Sequence, residues 1–94
     1  LNYEGTAEKY IEENKNTMIP WYLMASYAYY EESDPIFTDF YYDSIARRMI
    51  VEWKNIHHFH KHLISLDDLT AGCYIGKYPN RIINALKHLR TCTN

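Results

Sequence analysis

Hydrophobic residues recur along most of this chain at intervals of three and four, the spacing of a helix that buries one face. The clearest case is a helix expected from Asp39 to about Ile56, whose core stripe consists of Ile45, Met49, Trp53 and Ile56. No Asn-Gly or Asp-Gly pair separates two alternating segments, as a tight β-hairpin would require. The pattern predicts an all-α fold, a small single-domain bundle of four or five helices.

Residues that favour helix ends place the first half of this bundle. Thr6 is the expected N-cap of a short first helix that buries Tyr10 and Ile11. Pro20 suits the first turn of a second helix, because an N–H group is not needed there. This helix is expected from about Trp21 to Glu32, and its residues are apolar nearly all round. Such a helix is predicted to be central in the fold or to be covered by a partner.

The second half of the chain carries the same kinds of signal. Ser65 followed by acidic residues is typical of a helix start, and Gly72 is well placed to end a helix of one or two turns. Pro79 is expected to open a last helix from Asn80 to about Thr91. Its inward side is predicted to carry Ile82, Ile83, Leu86 and Leu89.

The segment between the second and third helices is the most informative part of the sequence. Pro35 ends the helix that precedes it, because its ring disfavours the α conformation at Asp34. Thr38 is a good N-cap for the next helix. We therefore expect a helix break at Ser33–Phe37 and two helices that lie side by side across a short turn.

Three polar side chains share one face at the start of the third helix, because Asp39, Tyr42 and Asp43 lie at positions i, i+3 and i+4. Two carboxylates and a phenol that face the tyrosine-rich end of the second helix, Tyr29 and Tyr30, form a candidate small-ligand site. The alternative interpretation is structural. Tyrosines often pack with their hydroxyls at the surface, and an aspartate in a first turn balances the helix dipole.

The same segment resembles the N-terminal helical segment of bacterial NAD-dependent DNA ligases. The family pattern is met without a gap by Tyr29-Tyr30, Pro35, Thr38-Asp39 and Tyr42-Asp43. The resemblance covers a helix-turn-helix from about Trp21 to Met49, and the departures from the pattern are Ser33, Phe37 and Tyr41. In those ligases the segment grips the nicotinamide mononucleotide (NMN) half of NAD and closes over a separate adenylation domain.

The resemblance implies a module that binds NMN or NAD as a ligand through Tyr29, Tyr30, Asp39, Tyr42 and Asp43. Tyr29 and Tyr42 would flank the cationic pyridinium ring by stacking and cation–π attraction. Asp39 and Asp43 would accept hydrogen bonds from the ribose or amide and balance the charge of the ring. No Lys-x-Asp-Gly nucleophile occurs, and 94 residues cannot also hold an adenylation domain. We therefore expect no enzyme activity, no catalytic residue and no required cofactor.

Four histidines, His57, His58, His60 and His62, form the other candidate site. If the segment is helical, His58 and His62 lie at i and i+4 and can chelate an opportunistic metal ion. No cysteine joins them, so an acidic residue would have to complete the ligand set. We expect no physiological metal site here. The alternative is a polar face that meets solvent or a partner.

Composition narrows the remaining possibilities. A net charge of −2 gives no basic excess for binding nucleic acid, and an apolar fraction of 47% argues against disorder. Cys73 and Cys92 lie in no metal or redox spacing and are expected to be reduced thiols. The sequence shows neither a signal peptide nor a span long enough to cross a membrane. We therefore expect a cytoplasmic location.

The whole chain is also similar to small uncharacterised proteins of marine tailed phages, a resemblance that implies no function. If the protein is encoded by a phage, its expected location is the cytoplasm of the host cell. The second function that the sequence leaves open is a protein-interaction module with no ligand. Its helices would then form a docking surface for a protein partner or for another copy of the chain.

Overall fold

The computed structural model describes residues 2–74 and 76–91 of the 94-residue chain. This part of the chain holds five α-helices and no β-strand, which confirms the predicted all-α fold. The helices are α1 (Glu4–Glu13), α2 (Met18–Tyr30), α3 (Asp39–Glu52), α4 (Leu66–Ala71) and α5 (Asn80–Thr91). Single turns of 3-10 helix occur at Lys15–Thr17, Trp53–Asn55 and Lys61–Leu63.

Helix α2 is the centre of the fold, as its apolar composition predicts. It packs against both α3 and α5. Nine of its residues are buried, so only the two tyrosines at its end are exposed and two further residues are half-buried. The buried residues are Met18, Ile19, Trp21, Tyr22, Leu23, Met24, Ala25, Ser26 and Ala28.

The start of α3 is fixed by its own cap and by a side chain of α1. The Thr38 hydroxyl oxygen accepts a hydrogen bond from the Tyr41 N–H at 3.2 Å, which confirms Thr38 as the N-cap. Glu4 Oε2 accepts the Thr38 N–H at 2.7 Å and the Thr38 hydroxyl at 2.6 Å. Because Glu4 and the cap are thus joined, α1 holds α3 at its first turn.

The turn that joins α2 to α3 is anchored at both ends, and the predicted break at Ser33–Phe37 is confirmed. The Asp34 N–H donates to the Ala28 carbonyl at 2.9 Å, and Ser33 takes a positive φ of 53°. Arg90 of α5 donates to the Asp34 carbonyl at 2.6 Å and to Glu32 Oε1 at 3.0 Å. The last helix of the chain therefore holds this turn in place.

Three predictions about helix ends are wrong. Helix α2 spans Met18–Tyr30, so it begins three residues before the predicted Trp21 and ends two residues before the predicted Glu32. Thr6 lies inside α1, whose N-cap is Tyr3, and Tyr10 is 52% exposed although Ile11 is buried as predicted. Helix α3 ends at Glu52 rather than near Ile56, because the chain tightens into a 3-10 turn at Trp53–Asn55.

The last two helices agree with the predictions from the sequence. Ser65 and Asp68 form a capping box at the start of α4, and Gly72 ends α4 with a left-handed φ of 75°. Helix α5 spans Asn80–Thr91 as predicted. Its buried residues are Ile82 and Leu86, while Leu89 packs at the edge of the core.

Candidate functional site

The five candidate ligand-binding residues lie around one cleft. Its volume is about 180 Å³, and it lies between the end of α2, the start of α3 and the end of α4. It is lined by Ala25, Tyr29, Tyr30, Pro35, Phe37, Asp39, Tyr42, Asp43 and Gly72. The structure therefore brings together the side chains that helical spacing grouped, and it adds four residues that the sequence did not assign to the site.

Tyr29 and Tyr30 form the outer aromatic wall. Their ring centroids lie 4.8 Å apart in an edge-to-face arrangement, and the side chains are 45% and 37% exposed. Burial raises the pKa of Tyr30 to about 12, with smaller contributions from Tyr42 and from Cys73. The Tyr30 phenol therefore stays protonated at neutral pH.

Tyr42 is held from two sides. Its ring stacks on that of Tyr22 with the centroids 5.1 Å apart and an angle of 17° between the planes. Its hydroxyl lies 2.6 Å from Ser26 Oγ, and Ser26 itself donates to the Tyr22 carbonyl at 2.8 Å. The hydroxyl of Ser26 has a single proton, which it donates to the Tyr22 carbonyl. Tyr42 must therefore be the donor in the shorter bond to Ser26. Burial raises the pKa of Tyr42, so this proton is retained.

Asp39 and Asp43 bring two exposed carboxylates to the cleft. Across residues 2–74 and 76–91 neither side chain forms an ion pair or a hydrogen bond. Asp39 stands in the first turn of α3, and the charge of Asp43 contributes to the raised pKa of Tyr42. Both carboxylates are therefore free to accept hydrogen bonds from a ligand.

Gly72 lines the cleft beside Asp43. A Cβ atom at this position would lie 3.7 Å from Asp43 Oδ1, so the backbone at the end of α4 comes close to that carboxylate. The sequence predicted that Gly72 ends a helix, and its left-handed φ agrees with that role. Its second role was missed because it depends on how α4 packs against α3, which no local signal reports.

The histidine segment does not form the helix on which i, i+4 chelation depends. Residues 56–60 are outside any helix, and the following 3-10 turn covers only Lys61–Leu63. The rings of His58 and His60 lie 5.5 Å apart, and His58 Nδ1 accepts the His60 N–H at 3.0 Å. Burial lowers the pKa of both side chains. His60 is only 8% exposed, so the solvated-face alternative is wrong for this residue.

No three histidine, cysteine or acidic side chains are placed to share a metal ion anywhere in the described ranges 2–74 and 76–91. Cys73 is a half-buried free thiol, and Cys92 lies outside the described residues. None of the helices described is long and apolar enough to cross a membrane.

A second, more apolar groove lies between α1 and α3. Its volume is about 460 Å³, and it is lined by Ile11, Lys15, Met18, Arg47, Arg48, Val51 and Glu52. Two basic residues of the lining form ion pairs within the protein. Arg48 binds Glu8 at 2.7 Å, and Lys15 binds Glu52 at 3.0 Å. Val51 is 79% exposed at the edge of the groove.

Comparison with known proteins finds no match to this chain, whether among family models, curated proteins or solved structures. The resemblance to the ligase segment therefore depends on the motif residues alone.

Proposed function

We propose that the protein is a non-catalytic nucleotide-binding module that takes the nicotinamide end of NMN or NAD into the cleft between α2 and α3. One observation carries the proposal: Tyr29, Tyr30, Asp39, Tyr42 and Asp43 all line the same concavity. These are the residues at which the ligase segment grips NMN, by the resemblance described above. No enzyme activity and no metal or prosthetic group form part of the proposal.

The chemistry of the lining suits a flat cationic ring. Aromatic rings attract a cation placed over their faces, by about 0.5–2 kcal/mol according to exposure. Tyr29 and Tyr30 are exposed enough to reorient around a ligand, whereas Tyr42 is fixed by Ser26 and Tyr22. The unpaired carboxylates of Asp39 and Asp43 supply negative charge that can balance the positive charge of a pyridinium ring.

The proposal is tested by titrating the protein with NMN and NAD in a calorimeter. Tyr29→Ala and Asp43→Ala should each weaken NMN binding by about 1–3 kcal/mol, the value of a lost aromatic contact or a lost charge-assisted hydrogen bond. Tyr42→Ala should weaken it as well, but its loss also removes the ring that packs on Tyr22, so folding of this variant must be checked first.

Matched controls are available on α1. Tyr10→Ala removes an exposed tyrosine and Glu12→Ala an exposed carboxylate, and neither residue lines the cleft. Both controls should bind NMN like the unmutated protein. The proposal is wrong if the unmutated protein shows no binding at millimolar NMN, or if the control variants lose as much affinity as the cleft variants.

The second candidate function is a protein-interaction module, encoded by a phage if the resemblance of the whole chain holds. The observation that favours it is the apolar groove between α1 and α3, where Val51 is 79% and the adjacent Ile50 37% exposed. Its first test is the molar mass in solution by light scattering over a range of concentrations. A mass that rises with concentration, and that Val51→Lys returns to the monomer value, would support a self-docking surface.

A further inference from the structure

The charge around the cleft indicates which ligands it can bind, if the protein binds a nicotinamide compound as proposed above. We infer that the cleft selects the cationic, phosphate-free part of the ligand, so that an N-substituted pyridinium such as nicotinamide riboside binds more tightly than NMN or NAD. The phosphate of NMN and the rest of NAD would then stay outside, in solvent.

The described lining of the cleft carries negative charge and no compensating cation. Among its nine residues, Asp39 and Asp43 are acidic and none is Lys, Arg or His. Phosphate monoesters carry a charge of about −1.5 to −2 at neutral pH. A phosphate group held inside this cleft would therefore face two carboxylates without a cationic partner.

The start of α3 is the feature of the cleft that could otherwise attract an anion. A helix N-terminus is equivalent to about half a positive charge. Asp39 sits in this first turn with a full negative charge, and the carboxylate of Glu4 already accepts both hydrogen bonds that Thr38 donates. The start of α3 is therefore negative overall and unsuited to phosphate.

The basic side chain that contacts the turn between α2 and α3 is already engaged. Arg90 makes ion pairs with Glu32 at 3.0 Å and with Asp34 at 3.2 Å, and it also donates to the Asp34 carbonyl. With Glu31 exposed beside them, the turn keeps a net negative charge although Arg90 is present. Arg90 is therefore not available to a phosphate group at this edge of the cleft.

The size of the cleft points the same way. Pockets that enclose a drug-sized ligand usually measure about 300–1,000 Å³. At about 180 Å³ the cleft falls below that range, so it can hold a substituted pyridinium ring but not a dinucleotide. Tyr29, Tyr30 and Phe37 provide aromatic surface for the ring, and Asp39 and Asp43 provide the anions.

The test is a calorimetric series at low ionic strength with nicotinamide riboside, 1-methylnicotinamide, neutral nicotinamide, NMN and NAD. Nicotinamide riboside should bind about tenfold more tightly than NMN, because the phosphate is repelled by the two carboxylates. Neutral nicotinamide should bind more weakly than 1-methylnicotinamide. The gap between nicotinamide riboside and NMN should shrink in 1 M NaCl, where screening acts over about 3 Å.

The double variant Asp39→Asn/Asp43→Asn keeps the shape of both side chains and removes their charge. It should weaken nicotinamide riboside about tenfold and bring its affinity close to that of NMN. Glu12→Gln, which removes one charge on α1 outside the cleft, should leave the gap unchanged. NMN binding as tightly as nicotinamide riboside would overturn this inference and leave the proposed function intact. Absence of binding by every compound at millimolar concentration would overturn both.

Discussion

The hydrogen-bonded group beneath the cleft gives the sharpest test of the structure, and Ser26→Ala is the perturbation. Ser26 is fully buried, accepts the Tyr42 hydroxyl at 2.6 Å and donates to the Tyr22 carbonyl at 2.8 Å. Alanine removes the acceptor and leaves the Tyr42 hydroxyl without its partner in a largely buried position. Loss of that partner costs about 1–3 kcal/mol, and the better helix propensity of alanine returns a few tenths.

We therefore expect Ser26→Ala to lower the free energy of unfolding by about 1–2 kcal/mol, which is a drop in Tm of roughly 4–16 °C for a domain of this size. Tyr42→Phe should cost only about 0.5–1.5 kcal/mol, because Ser26 keeps its bond to the Tyr22 carbonyl. The double variant should cost less than the sum of the two, because no unpaired hydroxyl is left behind.

The assay is urea unfolding followed by tryptophan fluorescence and circular dichroism, completed as a double-mutant cycle. Ser44→Ala is the matched control, because the Ser44 hydroxyl donates to the Tyr41 carbonyl at 2.7 Å and accepts from no tyrosine. It should change stability by less than about 0.5 kcal/mol. The structure is refuted at this point if Ser26→Ala is no more destabilising than Ser44→Ala, or if the two single effects simply add.

The variants of the same double-mutant cycle also test which part of Tyr42 a ligand contacts. Because the Tyr42 hydroxyl is engaged by Ser26, a ligand in the cleft gains access to the ring rather than to the hydroxyl. Tyr42→Phe should therefore bind NMN like the unmutated protein, whereas Ser26→Ala should weaken binding by loosening the ring. Equal losses in the two variants would mean that the hydroxyl itself contacts the ligand.

Two further predictions concern stability. The pKa of Glu8 is lowered by its hydrogen bonds with Arg48 and Tyr41, so its contribution is present above the ordinary value of 4.5 and is lost as the pH falls below it. Glu8→Gln should therefore lower the free energy of unfolding by about 1 kcal/mol at pH 7 and by progressively less below pH 4.5. Urea unfolding at each pH measures this loss, and a loss that does not change with pH would contradict the prediction. Ser33 has a positive φ of 53°, which glycine adopts more readily than alanine. Ser33→Gly should therefore be about 1 kcal/mol more stable than Ser33→Ala in thermal unfolding. A more stable alanine variant would show that φ is not positive at this position.

The parts of the fold that were predictable are those in which a side chain satisfies a neighbouring backbone group. Thr38 and Ser65 are both N-caps, as their residue types indicate. Thr6 has the same chemistry but lies within α1, because Asn2 accepts the Glu4 N–H at 2.8 Å and Tyr3 donates to the Ile36 carbonyl at 2.9 Å. A competing cap residue upstream was visible in the sequence, whereas the contact with Ile36 was not.

The end of α3 was harder to predict because the contacts there involve residues beyond the helix. Lys61 donates to the Trp53 carbonyl at 2.6 Å and places its ammonium 4.7 Å from the centre of the Trp53 ring. Ile56 is buried although the helix ends at Glu52. The three-and-four spacing of buried residues therefore continues beyond the end of the helix. The histidines that follow show no apolar period, which left their conformation unspecified.

For the candidate site, the sequence identified the side chains but not the enclosure. Asp39, Tyr42 and Asp43 share a face by helical spacing alone, and a short turn brings Tyr29 near them. The wall at Gly72 depends on the packing of α4, and the support of Tyr42 depends on Ser26, which lies on a helix too uniformly apolar to indicate its orientation.

Hydrogen bonds from three different helices hold the residues around the cleft in place. Glu4 of α1 fixes the start of α3, Arg90 of α5 fixes the turn, and Ser26 of α2 fixes Tyr42. A site that is rigid before binding loses less conformational entropy when a ligand arrives. Elsewhere in the described chain carboxylates such as those of Glu8 and Glu52 are paired with cations, yet Asp39 and Asp43 stand unpaired on this rigid frame. If a positively charged ligand binds as proposed, it supplies the cation that neither carboxylate has among the described residues.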